Sequence, residues 1–234
     1  MRRIGFSTGA IARGDFHSAL AAMKRHNLDV VELSALRVAE LRPLVEALPF
    51  LDLSGFKFVS IHAPSKFTPD EESDVLGLLR PLADQGYAIV AHPDVIFRFN
   101  KWSKLGGQLL IENMDKRKPI GRTADELTAF FADLPDARFC FDIGHARQVD
   151  PSMTEAALLL KAFHPRLAEV HMSEVNTASR HDPLSINAVA AFSSIMSEIP
   201  AGIPIILETL IDHGQSTIEA ELQRANEIFE AVTV

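Results

Sequence analysis

Short apolar runs alternate with longer amphipathic ones from one end of the chain to the other. Eight of the short runs read as strands, at residues 3–7, 29–34, 57–63, 87–92, 108–113, 138–143, 167–173 and 203–208. Several of them, such as FKFVSI, YAIVA, QLLI and IPIIL, are almost unbroken apolar segments. Strands of that kind are buried on both faces, as in a parallel sheet covered by helices. The segments between them carry helical periodicity. In DELTAFF, Leu127, Phe130 and Phe131 fall at the three- and four-residue spacings of one buried face. Thr68 with Glu71, Thr123 with Glu126, Ser152 with Glu155, and Ser216 with Glu219 match the S/T-x-x-E pattern that opens a helix. A last helix is predicted near 216–232, covering the eighth strand.

Strands recurring roughly every 28 residues, each followed by a helix, describe repeated βα units. No linker rich in Gly, Ser or Pro interrupts them. The 234 residues are close to the ~250 typical of an α/β barrel. One (β/α)8 TIM barrel spanning residues 1–234 is therefore expected. The alternative, an open doubly wound sheet, usually carries a glycine-rich phosphate loop after its first strand. FSTGAIARG stands there instead and is not G-x-G-x-x-G.

Composition adds little to this picture but narrows the partners. At 47% hydrophobic and 23% charged, the chain reads as an ordinary soluble protein. Its one cysteine, Cys140, excludes an internal disulfide and should be an inert thiol inside a strand. No run approaches the ~18 apolar residues of a membrane span, and MRRIGFSTGAIARGD lacks the apolar stretch of a signal peptide. A cytoplasmic enzyme with no membrane partner is expected. The net charge of −8 argues against nucleic acid as the main partner, since basic surface supplies most of that affinity. Nothing in the pattern decides whether the chain forms a homo-oligomer.

Candidate chemistry appears where the strands stop. In α/β barrels the loops at the C-terminal strand ends converge on the active site. Here the strands end near Glu32, His62, His92, Glu112, Asp142, His171 and Glu208, with His145 just past the sixth. One such residue would be an ordinary hydrogen-bonded or solvated side chain, but a barrel gathers the whole set. Unpaired carboxylates crowded together raise one another's pKa, and a bound divalent cation is the usual compensation.

The ordered series IHAP, AHPD, IENMD, FDIGHA, EVHM and ILET resembles the xylose-isomerase-like TIM-barrel superfamily over essentially the whole chain. That group includes sugar and sugar-phosphate isomerases and epimerases, and also endonuclease IV, a zinc-dependent DNA-repair phosphodiesterase. On the isomerase side the resemblance implies one divalent ion (Mn, Co, Mg or Zn) held by Glu112, Asp142, His171 and Glu208. Glu112 and Glu208 would then be the catalytic acid/base pair around an enediolate, with His145 on a substrate oxygen. On the endonuclease side it implies additional metal ligands at His62, His92 and His145. His181, in the loop after the seventh strand, belongs to the same set, although Ser179 stands where that family has an aspartate.

Lys118 occupies the place of a second, substrate-contacting glutamate of ketose epimerases. The run Lys116–Arg117–Lys118 reads as a solvated loop, with phosphate or carboxylate binding as the alternative, and Arg180 has similar anion-binding potential. Glu32 either lines the mouth or bonds a loop. Trp102 is expected to pack. His17, His26 and His164 should lie at the surface, and His213 follows the eighth strand. The leading expectation is a metal-dependent isomerase or epimerase acting on a small sugar or sugar phosphate. The alternative is a zinc phosphodiesterase of the AP endonuclease type, and a barrel that binds without chemistry is a third reading.

Overall fold

The computed structural model describes residues 2–211 and 216–230. Seven parallel strands come first: β1 Ile4–Ser7, β2 Val30–Ser34, β3 Phe58–His62, β4 Ala88–Ala91, β5 Leu109–Glu112, β6 Arg138–Asp142 and β7 Leu167–Met172. A two-stranded antiparallel hairpin follows, β8 Glu174–Val175 with β9 His181–Asp182, and then the eighth barrel strand, β10 Ile205–Leu207. The barrel closes in the order β1-β10-β7-β6-β5-β4-β3-β2. Each of its strands lies inside a run predicted from the sequence, trimmed at the ends. The hairpin was not predicted, because two-residue strands leave no periodicity to read.

The helices are α1 Thr8–Ala12, α2 Phe16–Arg25, α3 Val38–Ala47, α4 Glu72–Asp84, α5 Phe99–Trp102, α6 Ala124–Asp133, α7 Ile143–Val149, α8 Thr154–Phe163, α9 Ile186–Ser193 and α10 Ile218–Glu230. Among the described residues, none is long and apolar enough to cross a membrane. Of the four predicted caps only Thr123 acts as written, its hydroxyl accepting from the Glu126 backbone N–H. Thr68 and Glu71 instead bond each other in a turn ahead of α4. Asp150 displaces Ser152, since its carboxylate accepts from the backbone N–H of both Ser152 and Glu155. At α10 the hydroxyl of Thr217 accepts from the Ala220 N–H, while Ser216 bonds the buried Glu221.

Two apolar clusters hold the molecule. The larger packs the outer face of the barrel against the helices; Leu33, Ile61, Ile89, Ile111, Phe141, Met172 and Leu207 carry it on the strands. The smaller fills the barrel itself and consists of Ala88, Val90, Leu110, Cys140 and Ala168, with Phe58 against it. Side chains two residues apart on a strand share a face. Val90, Leu110 and Cys140 therefore sit directly beneath His92, Glu112 and Asp142. An apolar plug fills the lower barrel and the ionisable residues sit on top of it. The pairing of β6 with β7 shifts register between Phe139, opposite Leu167, and Cys140, opposite Glu169. Ala168 is the extra residue, and a bulge of this kind re-aims the side chains that follow it. His171 then comes into register opposite Asp142.

Candidate metal centre

The D-x-G-H segment shows how local folding aims a ligand. Asp142 ends β6 and caps α7, its Oδ1 accepting from the His145 N–H at 2.6 Å. Oδ2 is left buried without a hydrogen-bond partner. Asn113 fixes the same residue from the neighbouring strand, donating to the Asp142 carbonyl and accepting from its N–H, both at 2.8 Å. Gly144 is required by packing, since a Cβ there would lie 2.3 Å from the Ser173 carbonyl oxygen.

Glu112 lies at the centre of the constellation and is almost wholly buried. Its two oxygens face different partners. Oε2 is 3.3 Å from Nε2 of His62 and 3.3 Å from Nε2 of His92. Oε1 is 3.6 Å from Nδ1 of His171, which in turn is 3.5 Å from Oε1 of Glu208. The ligand atoms of His62, His92 and Glu112 lie within 4.8 Å of one another, and so do those of Glu112, Asp142, His171 and Glu208. A third such group, Glu32 with His62 and His171, lies deeper.

These spacings fit divalent ions. At metal–ligand distances of about 2.0–2.2 Å, the ligands of a tetrahedral site are roughly 3.3–3.6 Å apart, too long for good hydrogen bonds between them. His62 has its other nitrogen committed, with Nδ1–H donating to the Ala63 carbonyl at 2.7 Å, so Nε2, 3.3 Å from Glu112 Oε2, is the atom it would offer an ion once its proton is released. Asp142 Oδ2, His171 Nδ1 and Glu208 Oε2 are all buried without hydrogen-bond partners. In native proteins such atoms are rare and point to a missing partner.

The electrostatics are those of a crowded anionic site. Burial and the nearby Glu112 and Asp142 push Glu208 up to about 8, against the pull of His171. Burial likewise raises Asp142. Burial disfavours ionised Glu112 too, but His92, His145 and His171 outweigh it and hold that carboxyl well below its usual range. The carboxylates in turn overcome burial at two histidines, raising His62 to about 9 and His145 to about 10, whereas burial lowers His92. His181, desolvated and beside His145, falls to about 3.

The other predicted residues divide clearly. The ring of His145 lines the mouth, with its Nδ1–H donating to the Asn113 carbonyl at 3.0 Å. The hairpin β8–β9 brings His181 to the mouth, where its Nδ1 lies 2.8 Å from Ser173 Oγ and 3.4 Å from Glu208 Oε2. The hydroxyl of Ser179, at the expected aspartate position, donates to Asp115 at 2.8 Å. Among the described residues, neither His145 nor His181 belongs to a three-member ligand group. Glu32 is not at the mouth: β2 runs on to Ser34, and Glu32 lies two residues deeper, fully buried. Lys118 lines the mouth, but its ammonium is engaged by both Asp94 oxygens and the Ser65 carbonyl. Arg180 is exposed on the hairpin loop, outside the cavity wall. Trp102 packs fully buried and donates its Nε1–H to Glu72. His17 and His164 are exposed and His26 is half-buried, and His213 lies outside the described residues.

Asp115 and Glu169 were not foreseen, whereas Arg117 belongs to the basic run already singled out. Asp115 is a buried wall residue held by Ser179 and Arg117. Arg117, rather than Lys118, presents cationic surface at the mouth, anchored by its Nη2 donating to the Ser179 carbonyl. Glu169, inside the EVHM segment, is fully buried beneath His171. The cavity above the centre measures about 230 Å³.

Comparison with solved structures shows a shared fold. Endonuclease IV from Thermus thermophilus superposes with a TM-score of 0.63 and 18% identity, over 99% of each chain. The 3-keto-D-glucoside 4-epimerase of E. coli gives 0.59 and 13% over 100% of both chains. A xylose isomerase-like TIM barrel protein from Mycobacterium smegmatis, in complex with magnesium, gives 0.57 and 14%, covering 95% of this chain and 90% of that one. No protein-family model and no curated protein sequence matches the chain.

Proposed function

We propose that this chain is a metal-dependent enzyme working at the mouth of its barrel, with a two-metal centre bridged by Glu112 that hydrolyses a phosphoester. The observation carrying this reading is the division of Glu112: Oε2 faces His62 and His92, and Oε1 faces the His171–Glu208 side. A single-metal site has no need of the first pair. His62, His92 and Glu112 would hold one ion, and Glu112, Asp142, His171 and Glu208 the other. Bound as a pair, divalent ions lower the pKa of water and neutralise charge on phosphoryl oxygens.

The chain's own groups supply the rest. Glu208 is the least buried of the central carboxylates, at 13% side-chain exposure, and faces His181. With Oε1 turned to the ion, its Oε2 would be the oxygen left to take a proton from an attacking water. His145, fixed by the Asn113 carbonyl, orients substrate at the cavity wall. Arg117 adds positive charge at the rim, which suits an anionic ester.

Endonuclease IV, among the similar structures, supports the hydrolytic reading, and the E. coli epimerase supports a second one. In that second reading a single ion at Glu112, Asp142, His171 and Glu208 serves isomerisation or epimerisation of a small sugar or sugar phosphate. The observation favouring it is the cavity, which at about 230 Å³ is below the ~300–1,000 Å³ of typical ligand sites and suits one small molecule. Glu112, enclosed by four imidazoles, is better built as a bridging ligand than as a free base. His92→Ala separates the two readings. Zinc-loaded variant and native protein are assayed on bis(p-nitrophenyl) phosphate, on abasic DNA, and on a panel of sugars and sugar phosphates. The hydrolytic reading expects phosphoester turnover that falls by at least ~100-fold in the variant. Sugar interconversion that survives the substitution would overturn it.

A further inference from the structure

Barrel interiors are normally filled by layers of branched apolar side chains. Here the layer beneath the mouth is apolar under His92, Glu112 and Asp142, where Val90, Leu110 and Cys140 stand. Under His171 it is not. Glu169 occupies that position, fully buried, and its Oε1 accepts from the hydroxyl of Ser60, a residue 109 positions away on β3, across the barrel. Glu32, also fully buried, reaches the same point from β2. Nε2 of His171 is 3.1 Å from Glu32 Oε2 and 3.4 Å from Glu169 Oε1, aligned as a hydrogen bond with neither.

Two carboxylates enclosed in a barrel are a cost to folding unless they serve a partner. Among the described residues, the ring that approaches both is His171. We infer that Glu169, with Glu32, is a positioning residue for the metal centre: the pair takes the Nε2–H of His171 between them, fixes the ring tautomer, and aims the Nδ1 lone pair at the ion held with Glu112, Asp142 and Glu208. A ligating histidine whose second nitrogen is bonded to a carboxylate is a better donor and a fixed one.

Glu32, His62 and His171 do lie close enough to hold an ion of their own. Both nitrogens of His62 are already assigned, however, Nδ1 to the Ala63 carbonyl and Nε2 to Glu112, while His171 turns Nδ1 to Glu112 and Glu208. A further ion would have to share Nε2 of His62 with the ion at Glu112, so Glu32 reads as support for the His171 ring and not as a third metal site.

The inference rests on the metal reading and can fail separately from it. The test compares native protein, Glu169→Met and Glu169→Gln by zinc competition with a chromophoric chelator, by zinc stoichiometry, and by thermal melting of the metal-free forms. Replacing a buried charge by an apolar side chain of similar volume is often neutral or stabilising. Metal-free Glu169→Met should therefore melt at or above the native temperature while binding zinc about 10–100-fold more weakly, the range for loss of an outer-shell partner. Glu169→Gln, which keeps an acceptor without the charge, should lie between. A cobalt-substituted form should show the same order in its visible absorption, since the His171 donor is what changes. Native protein that takes up zinc beside variants of equal affinity overturns the positioning role alone. A native chain that takes up none overturns the metal reading and this inference with it.

Discussion

In the proposed centre Glu112 is the shared ligand. A carboxylate this deeply buried, with an imidazole on each side of either oxygen, is stabilised as an anion by groups that repel one another unless some are neutral. Glu112→Gln keeps the shape and removes the charge. It should retain the fold but lose affinity at both ion positions by more than ~100-fold, beyond what an outer-shell change produces, with turnover lost in parallel. Elemental analysis and circular dichroism check this together. The pH response of the metal-free protein follows from the same residues. His62 and His145, raised to about 9 and 10, add stability that is complete below their unfolded value near 6.5 and is lost as pH rises through 9 to 10. Glu208, raised to about 8, binds a proton longer than it would unfolded, so it also costs stability as pH climbs from about 4.5 to 8. Metal-free melting temperature should fall between pH 6 and 9. Zinc affinity should rise over the same interval, because binding releases those protons. A flat or rising metal-free melting curve would contradict the assignment. Most of these residues were legible in the sequence as polar stops after apolar runs. Glu169 was missed because it lies within its strand, two residues before a histidine that marks the strand end. The available signal was a charged residue at an inward position inside an otherwise apolar segment.

At the scale of elements, strand ends aim ligands and the short helices after them hold the aim. The best case is β6 running into α7, where one carboxylate both caps the helix and leaves an oxygen for the site. That junction fits only because residue 144 has no side chain: a Cβ would press on the Ser173 carbonyl at 2.3 Å and on Val175 Cγ2 at 2.8 Å. Gly144→Ala should cost about 1–3 kcal/mol, the usual range for forced overpacking, measured by urea unfolding. It should also weaken metal binding, since relief of the clash must move α7 or the start of the hairpin. Unchanged stability would show that the contact relaxes freely. Strand positions were readable because unbroken apolar runs have few other uses. Caps were less so: the S/T-x-x-E pattern says that a helix starts nearby, but not which of several neighbouring oxygens wins the backbone N–H, as Asp150 does over Ser152. Glu32 illustrates the same difficulty in a strand. Its two-residue displacement from the end of β2 turns a mouth residue into an interior one, and nothing local in VVELS distinguishes the two.

For the whole molecule, barrel closure brings together groups that are far apart along the chain, and metal binding should be coupled to folding through all of them. An ion that binds only the folded chain at ~1,000 times its Kd adds about 4 kcal/mol, and for a chain of this size each kcal/mol is worth roughly 2–4 °C. Removing metal with a chelator should then lower the melting temperature by about 8–16 °C, reversibly on adding zinc or manganese. Differential scanning calorimetry in matched buffers checks this, and an unchanged melting temperature would contradict the coupling. The barrel architecture followed from the regular strand spacing, the chain length and the lack of a glycine-rich loop after the first strand, whereas the choice between one ion and two was not decided by the sequence. It depends on where His62 and His92 point, and strand-end spacing does not encode that. The most direct measurement is therefore the zinc content of reconstituted native protein and of His92→Ala, by elemental analysis after gel filtration. Two ions per native chain falling to one in the variant is the predicted result. One ion in both, or none in the native chain, would contradict the bridged two-metal centre.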